Sequence, residues 1–216
     1  MNQNLGSPAG DPGTDPGRAG EAKRRLRAAF LARRDALDPQ RIAAWSSAAC
    51  ARAQARIAAR RARTIFCYIA TAREVGTRAL IDALLGAGHT VLVPRLLDRT
   101  TMIAAAFPGW DALVPGPLGI PAPPSREAHA APVDFVLTPG IAFGLDGSRL
   151  GFGAGYYDRW FAAHPQACRV ALAFECQLTA PLPTCDHDVA VDGIVTECRS
   201  IAFRRAGTAV STDCSN

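Results

Sequence analysis

An α/β domain with a largely parallel sheet and helices on both faces is the fold this sequence predicts. Short apolar runs alternate with helical stretches along most of the chain, as successive strand–helix–strand units require. The 216 residues suit one domain large enough to bury its own core. Hydrophobic residues make up 49% and charged residues 20%, a globular balance. No apolar run approaches the roughly 18 residues of a membrane span.

Taken in order, Met1–Gly20 lacks an apolar h-region and is rich in Gly, Pro, Ser and Asp. It reads as a disordered leader rather than a secretory signal. Glu21–Leu37 reads as a helix with Leu26, Phe30 and Leu37 on its buried stripe. Asp38-Pro39 ends it and starts a second helix, about Gln40–Arg61, with Ile42, Trp45, Ala49 and Ile57 facing inward. Thr64–Ile69 is an apolar run bounded by polar residues, a central strand. Thr77–Leu85 is helical until Gly86–Gly88. Thr90–Val93 is a second strand ended by Pro94, and Thr100–Phe107 an antiparallel edge strand. Pro108–Pro132, dense in Pro and Gly, is a long loop of the kind that serves as a lid or binding segment. Phe135–Leu137 returns to the sheet, Tyr156–Ala163 is helical, and Arg169–Phe174 and Gly193–Thr196 are the last strands. Gly207–Asn216 is a polar, frayed tail. One domain, residues 21–206, remains between leader and tail.

Net charge is +5, unevenly spread: residues 18–63 hold 13 bases against 3 acids. A basic helical arm can bind nucleic acid or close over a polyphosphate; most of these charges read as a solvated helix face in an arginine-rich chain. Of the 24 basic residues only Lys23 is lysine, which points to a position wanting a compact ammonium rather than a planar fork. The seven cysteines form no C-x-x-C pair. Cys67, Cys168 and Cys198 read as buried, reduced thiols, and Cys185-Asp186-His187 falls short of a closed zinc site.

The most informative segment is Arg149-Leu150-Gly151-Phe152-Gly153-Ala154-Gly155-Tyr156-Tyr157-Asp158. Alternate glycines free the backbone for positive φ and let an anion approach the N–H groups. The helix that follows would present its N-terminus to phosphate, and Asp158 stands where a metal-bridging carboxylate is needed. Neither a Walker A loop, which needs Gly-Lys-Ser/Thr, nor a G-x-G-x-x-G dinucleotide fingerprint is present.

With these residues in view the chain resembles the 5-formyltetrahydrofolate cyclo-ligase, or 5,10-methenyltetrahydrofolate synthetase, family. The resemblance runs from Lys23 to Glu197 and rests on ordered motifs: Lys23-Arg24-Arg25-Leu26-Arg27, Glu74-Val75-Gly76-Thr77, Val93-Pro94-Arg95, Gly119-Ile120-Pro121, Pro139-Gly140-Ile141-Ala142-Phe143, the glycine segment, and Asp188 with Val191-Asp192. It implies a three-layer α/β/α domain and an ATP- and Mg²⁺-dependent conversion of 5-formyltetrahydrofolate to 5,10-methenyltetrahydrofolate through a phosphorylated formyl group. It also implies roles. Lys23, Arg27, Arg149 and the run Leu150, Gly151, Phe152, Gly153, Ala154, Gly155, Tyr156 and Tyr157 would bind ATP. Ile69, Glu74, Phe152 and Tyr156 would contact the folate, and Asp158 and Asp188 would hold Mg²⁺. A monomer in the cytoplasm, with no nucleic-acid or membrane partner, is the expected setting.

The sequence departs from the family pattern at Ala154, where some members carry lysine, and at Leu118 and Ala122, which flank the Gly-Ile-Pro motif where an aromatic and a Glu or Gln are frequent. The competing readings are an ATP-dependent enzyme of the same fold with another acyl or pterin substrate, and a basic RNA-binding module on residues 18–63. That segment lacks the interleaved aromatics that stack on bases.

Overall fold

A computed structural model of the chain describes residues 16–71 and 73–203. Its centre is a seven-stranded sheet. In chain order the elements are α1 (Pro16–Asp35), α2 (Pro39–Ala59), β1 (Thr64–Cys67), α3 (Arg78–Gly86), β2 (Thr90–Leu96), β3 (Met102–Ala106), β4 (Phe135–Thr138), β5 (Ala142–Gly144), β6 (Arg149–Leu150), α4 (Tyr156–Ala163), β7 (Cys168–Leu172), β8 (Leu178–Thr179), β9 (Gly193–Val195) and β10 (Ser200–Ala202). The main sheet runs β10-β9-β7-β4-β1-β2-β3. Its five inner strands are parallel, and the two edges, β3 and β10, are antiparallel. The expected α/β class with a mostly parallel sheet is what the chain adopts.

Strands of this sheet are buried on both faces, so they read as continuous apolar runs rather than alternating ones. On one face Ile65, Cys67, Val91, Val93, Phe135 and Leu137 pack with Ala49, Ala53 and Ile57 of α2 and Leu80, Ile81 and Leu84 of α3. On the other, Phe66, Leu92 and Val136 pack with Trp160 and Phe161 of α4. These are the three layers. The N-cap of α2 is Asp38, whose carboxylate accepts from the Gln40 N–H at 2.6 Å, with Pro39 opening the helix; cap and proline together satisfy and pre-set the first turn.

Several boundaries differ from the sequence expectation for identifiable reasons. α1 begins at Pro16, so Pro16–Gly20 of the expected leader is helical; the rest of the leader and the expected tail lie outside the described residues. β2 does not stop before Pro94 but runs to Leu96. β1 pairs only with Thr90–Leu92, leaving Pro94 flanked by β3 alone, an arrangement that tolerates a missing N–H. β9 is not the last strand, because β10 folds back on it. A second, small sheet, β6-β5-β8, was not expected; strands of two or three residues carry no readable period. Cys198 is exposed rather than buried, whereas Cys67 and Cys168 are buried as expected.

α1 does not lie on the main sheet. Phe30, with Leu26 and Leu31, packs on Ile141, Ala142 and Leu150 of the small sheet and its lead-in. Lys23, Phe30 and Arg34 of α1 are buried and Arg27 is half-buried, and their spacing puts the four on one helical face. Three of these four are cations. Of the expected stripe, Phe30 is buried and Leu26 and Leu37 are half-buried.

Candidate functional site

The order of the parallel strands reverses at β1: the chain next places β2 on one side of it and later β4 on the other. In open α/β sheets the crevice at the carboxyl ends of strands at such a switch is the usual ligand site. A cavity of about 710 Å³ opens there.

One wall is the loop after β1. Thr77 Oγ1 donates to the Tyr68 carbonyl at 2.8 Å and accepts from the Ala70 N–H at 3.1 Å, while the Tyr68 hydroxyl donates to the Val75 carbonyl at 2.9 Å. The Gly76 N–H donates to Ser46 Oγ of α2 at 3.0 Å. This bracing accounts for the Glu74-Val75-Gly76-Thr77 motif, and its product is a fixed Glu74. Glu74 Oε2 accepts from both the N–H and the hydroxyl of Thr71 at 2.8 Å. Arg73 adopts φ 71° beside it, held by a 2.7 Å bond from its Nη1 to the Leu37 carbonyl.

A second wall is the glycine segment leading into α4. Gly153 and Gly155 have φ 101° and 67°, and Gly155 caps the helix, so the positive-φ expectation holds at these two positions. The glycines also make room for guanidinium groups. A Cβ on Gly153 would stand 3.5 Å from Arg27 Cζ, and one on Gly155 only 2.8 Å from Arg159 Nη1. Arg27 Nε donates to the Gly151 carbonyl at 2.8 Å, tying α1 to the loop. The first turn of α4 is held against the β2–β3 hairpin by Tyr156, whose hydroxyl donates to the Asp98 carbonyl at 3.0 Å, and by Arg159 Nε, which donates to the Thr100 carbonyl at 2.7 Å.

Two ion pairs lie across the cavity. Lys23 Nζ donates to Asp188 Oδ2 and sits 3.4 Å from Cys185 Sγ; the Cys185 N–H donates to the same carboxylate oxygen at 2.7 Å. Burial works against the Lys23 ammonium, but the hydrogen bond and charge of Asp188 outweigh it and hold the amine above its ordinary pKa. Burial likewise opposes the Asp188 carboxylate, and the bonds from Lys23 and the Cys185 N–H overcome it, holding its pKa below the ordinary value. Arg149 Nη2 donates to Asp158 Oδ1 at 2.8 Å, and the Val189 N–H reaches the same oxygen at 3.2 Å. Arg149 Nε and the Tyr157 hydroxyl are buried without a hydrogen-bond partner among the described residues. Burial first, and then the nearby Cys67 and Glu74, push the Tyr157 phenol well above its ordinary pKa, so it keeps its proton as a donor.

Every residue to which the family resemblance assigned a binding role lines this one cavity: Lys23, Arg27, Ile69, Glu74, Arg149 through Asp158, and Asp188. Its lining combines cations and glycines with a second, mostly apolar group: Tyr68, Pro94, Leu96, Met102, Ile120 and Pro139. Of this second group, Pro94, Ile120 and Pro139 stand in the quoted motifs without an assigned role, and the sequence reading missed Tyr68, Leu96 and Met102, whose residue types are indistinguishable from core. It also missed His187 and Cys185, both on the wall, and Thr71. Leu118 and Ala122, the family departures, line the cavity too; Leu118 is 77% exposed at its rim. Asp192, which the motifs included, belongs elsewhere: its carboxylate pairs bidentately with Arg169 at 3.0 and 3.2 Å and staples β7 to β9.

Two carboxylates could hold a divalent cation. Asp158 and Asp188 each keep one oxygen free of hydrogen bonds among the described residues, and hard oxygen donors suit Mg²⁺. No cluster of three or more His, Cys, Asp or Glu able to hold a metal occurs among those residues. Two carboxylates fall short of a full ligand set, so Mg²⁺ held by them would need phosphate oxygens and water to complete it, the usual way this ion is bound. No described helix is long and apolar enough to cross a membrane.

The family model of the 5-formyltetrahydrofolate cyclo-ligase family matches residues 19–197. Among curated proteins, the 5-formyltetrahydrofolate cyclo-ligase of Mycolicibacterium smegmatis is 33% identical over 153 residues, covering 66% of this chain and 78% of that protein. The mouse 5-formyltetrahydrofolate cyclo-ligase is 28% identical over 194 residues, covering 82% and 94%. Among solved structures, Aquifex aeolicus 5,10-methenyltetrahydrofolate synthetase superposes with a TM-score of 0.72 at 26% identity, covering 90% of this chain and 99% of that one.

Proposed function

Since the chain belongs to the 5-formyltetrahydrofolate cyclo-ligase family, and is by that membership a ligase of this type, we propose that its cavity converts 5-formyltetrahydrofolate to 5,10-methenyltetrahydrofolate with ATP and Mg²⁺. The observation that carries the reading is the convergence of the phosphate-type and pterin-type residues on the lining of a single cavity. In this reading the formyl oxygen attacks the γ-phosphorus of ATP and the bond to the ADP oxygen breaks. N10 of the same folate then attacks the activated carbon and loses its proton, and the carbon–oxygen bond breaks as phosphate departs. Phosphorylation turns a poor leaving group into a good one, and the ring closure is intramolecular.

The chain's own residues supply charge and position, the main needs of phosphoryl transfer. Lys23, Arg27 and Arg149 take the phosphate oxygens, and Arg149 can use the Nε that has no partner among the described residues. With those cations turned to phosphate, Asp188 and Asp158 would be the residues to hold Mg²⁺, which when bound would neutralise charge on the phosphates. The Gly155 end of α4 adds its helix N-terminus. Glu74, with Oε1 free, accepts from the N–H groups of the pterin, and Ile69, Phe152 and Tyr156 flank the ring.

Mixing the protein with ATP, Mg²⁺ and 5-formyltetrahydrofolate and following the methenyl chromophore tests the reading. Absorbance should rise only when all three are present, with one ADP per methenyl product. A second substrate class is favoured by one observation: Leu118 and Ala122 leave the cavity rim without the aromatic and polar groups frequent in the family. ADP release with another N-acylated pterin, and none with 5-formyltetrahydrofolate, would establish that alternative.

A further inference from the structure

Arg34 is the most deeply buried cation of α1, 5% exposed. Its Nε and Nη1 have no hydrogen-bond partner among the described residues. The nearest carboxylate is Glu74, itself 8% exposed, with Arg34 Nη1 4.0 Å from Glu74 Oε1. The guanidinium carbon also stands 5.8 Å from the centroid of the Phe152 ring. A buried guanidinium normally closes a short, bidentate pair with its carboxylate. Here it stands off at a distance that attracts without bonding.

That stand-off has a chemical use. Thr71 holds Glu74 Oε2 with two hydrogen bonds. The charge of Arg34 draws Oε1 the opposite way and fixes the rotation of the carboxylate. Because 4.0 Å exceeds hydrogen-bond reach, Oε1 remains an open acceptor. A closed Arg34–Glu74 pair would fill that oxygen; no cation at all would leave the carboxylate desolvated and uncompensated. The other groups facing this corner, Tyr68 from the end of β1 and Tyr157 from α4, both have phenols held protonated by burial, so they supply no counter-charge. Arg73, next to Glu74 in the chain, is committed to the Leu37 carbonyl.

We propose that Arg34 is a positioning residue for the folate end of the cavity, holding Glu74 aimed and compensated while leaving Oε1 free for the substrate. The proposal rests on the reading of Glu74 as a substrate contact. Steady-state kinetics of the full chain test it with Arg34→Leu, Arg34→Lys, Glu74→Gln and the Arg34→Leu/Glu74→Gln double variant. Arg34→Leu should raise the KM for 5-formyltetrahydrofolate about tenfold with the KM for ATP unchanged, and Arg34→Lys should recover part of the loss. In the Glu74→Gln background, Arg34→Leu should add nothing further, since coupled residues are non-additive.

Lys23 and Arg27 lie on the same helix, so a mere loosening of α1 would raise both KM values together; that outcome overturns the proposal. So does an unchanged folate KM in Arg34→Leu when Glu74→Gln raises it. An unchanged folate KM in Glu74→Gln would instead remove the reading of Glu74, and with it the premise. Should Arg34→Leu fail to fold, Arg34→Gln, polar but uncharged, is read in the same way.

Discussion

Single residues divide the site into those whose chemistry shows in the sequence and those whose burial hides it. Lys23 stood out because an arginine-rich chain retained one lysine, and it is the ammonium paired with Asp188. Arg34 did not stand out, because helical periodicity assigns charged residues to the solvent face, and on α1 the inward face is itself cationic. Asp158 offers the sharpest test at this scale. Asp158→Asn removes one charge and keeps the size. Turnover should fall about 100-fold, roughly 2.7 kcal/mol of transition-state stabilisation, and recover in part at high Mg²⁺. The variant should also melt lower, because Arg149, with its side chain only 4% exposed, loses its partner; breaking a buried pair costs about 3–5 kcal/mol. Full turnover with unchanged Mg²⁺ dependence would take Asp158 out of the site. Arg149→Ala should raise the KM for ATP and lower kcat, and Arg149→Lys should restore only part, since the planar fork is lost. Wild-type kinetics in Arg149→Ala would reduce the glycine segment to a turn.

At the scale of elements, buried parallel strands and long capped helices were legible because each advertises itself locally: an apolar run, an Asp-Pro cap, a Gly stop. The small sheet and β10 were not, because strands of two or three residues carry no readable period and are defined only by their pairing, β5 with the distant β8 and β10 with its neighbour β9. Such pairing also explains Gly193. A Cβ there would meet Arg56 Nη2 at 2.1 Å and the Ile201 carbonyl at 2.5 Å, where Arg56 Nη1 donates to that same carbonyl at 2.6 Å and fastens α2 to the sheet edge. Gly193→Ala should destabilise the fold by about 1–3 kcal/mol through overpacking, read as a lower denaturation midpoint. Because Gly193 is absent from the cavity wall, the KM values should not move. A KM change comparable to that of Arg149→Ala would mean the sheet edge shapes the site.

For the whole molecule, the cavity's charges compensate one another before any ligand arrives. The Lys23–Asp188 pair gives stability that is lost only as pH falls through the depressed pKa of Asp188 or rises through the elevated pKa of Lys23. Its contribution is therefore constant from about pH 5 to pH 9, between the ordinary carboxylate and ammonium values. In a His187→Asn background, which removes the imidazole whose charge also favours the carboxylate and which changes charge in this range, Asp188→Asn should lower the melting temperature by the same amount at pH 5.5 and pH 8.5; a difference that vanished at the lower pH would place the titration of Asp188 inside that range. The compensated cavity also gives Mg²⁺ alone little to bind. Thermal melts should shift little with Mg²⁺, and by several degrees with ATP and Mg²⁺ together, since ligand at about 100 times its Kd adds roughly 2.7 kcal/mol.

α1 rests on the small sheet through Phe30, Leu26 and Leu31, yet it carries Lys23 and Arg27 for one end of the cavity and Arg34 for the other. A wall with so narrow a footing is the natural first element to come loose in sub-global opening. Its backbone amides should therefore exchange with deuterium faster than those of α2, which is buried along the main sheet at Ala49, Ala53 and Ile57. Nucleotide should slow exchange mainly in the turns around Lys23 and Arg27, and folate in the turn around Arg34. Each ligand, by fastening the shared helix, would lessen the ordering left for the other, so that nucleotide and folate would assist one another's binding over and above any contact between them. Equal protection of α1 and α2 in the free protein would show that the helix is already fixed and that no such cooperation passes through it.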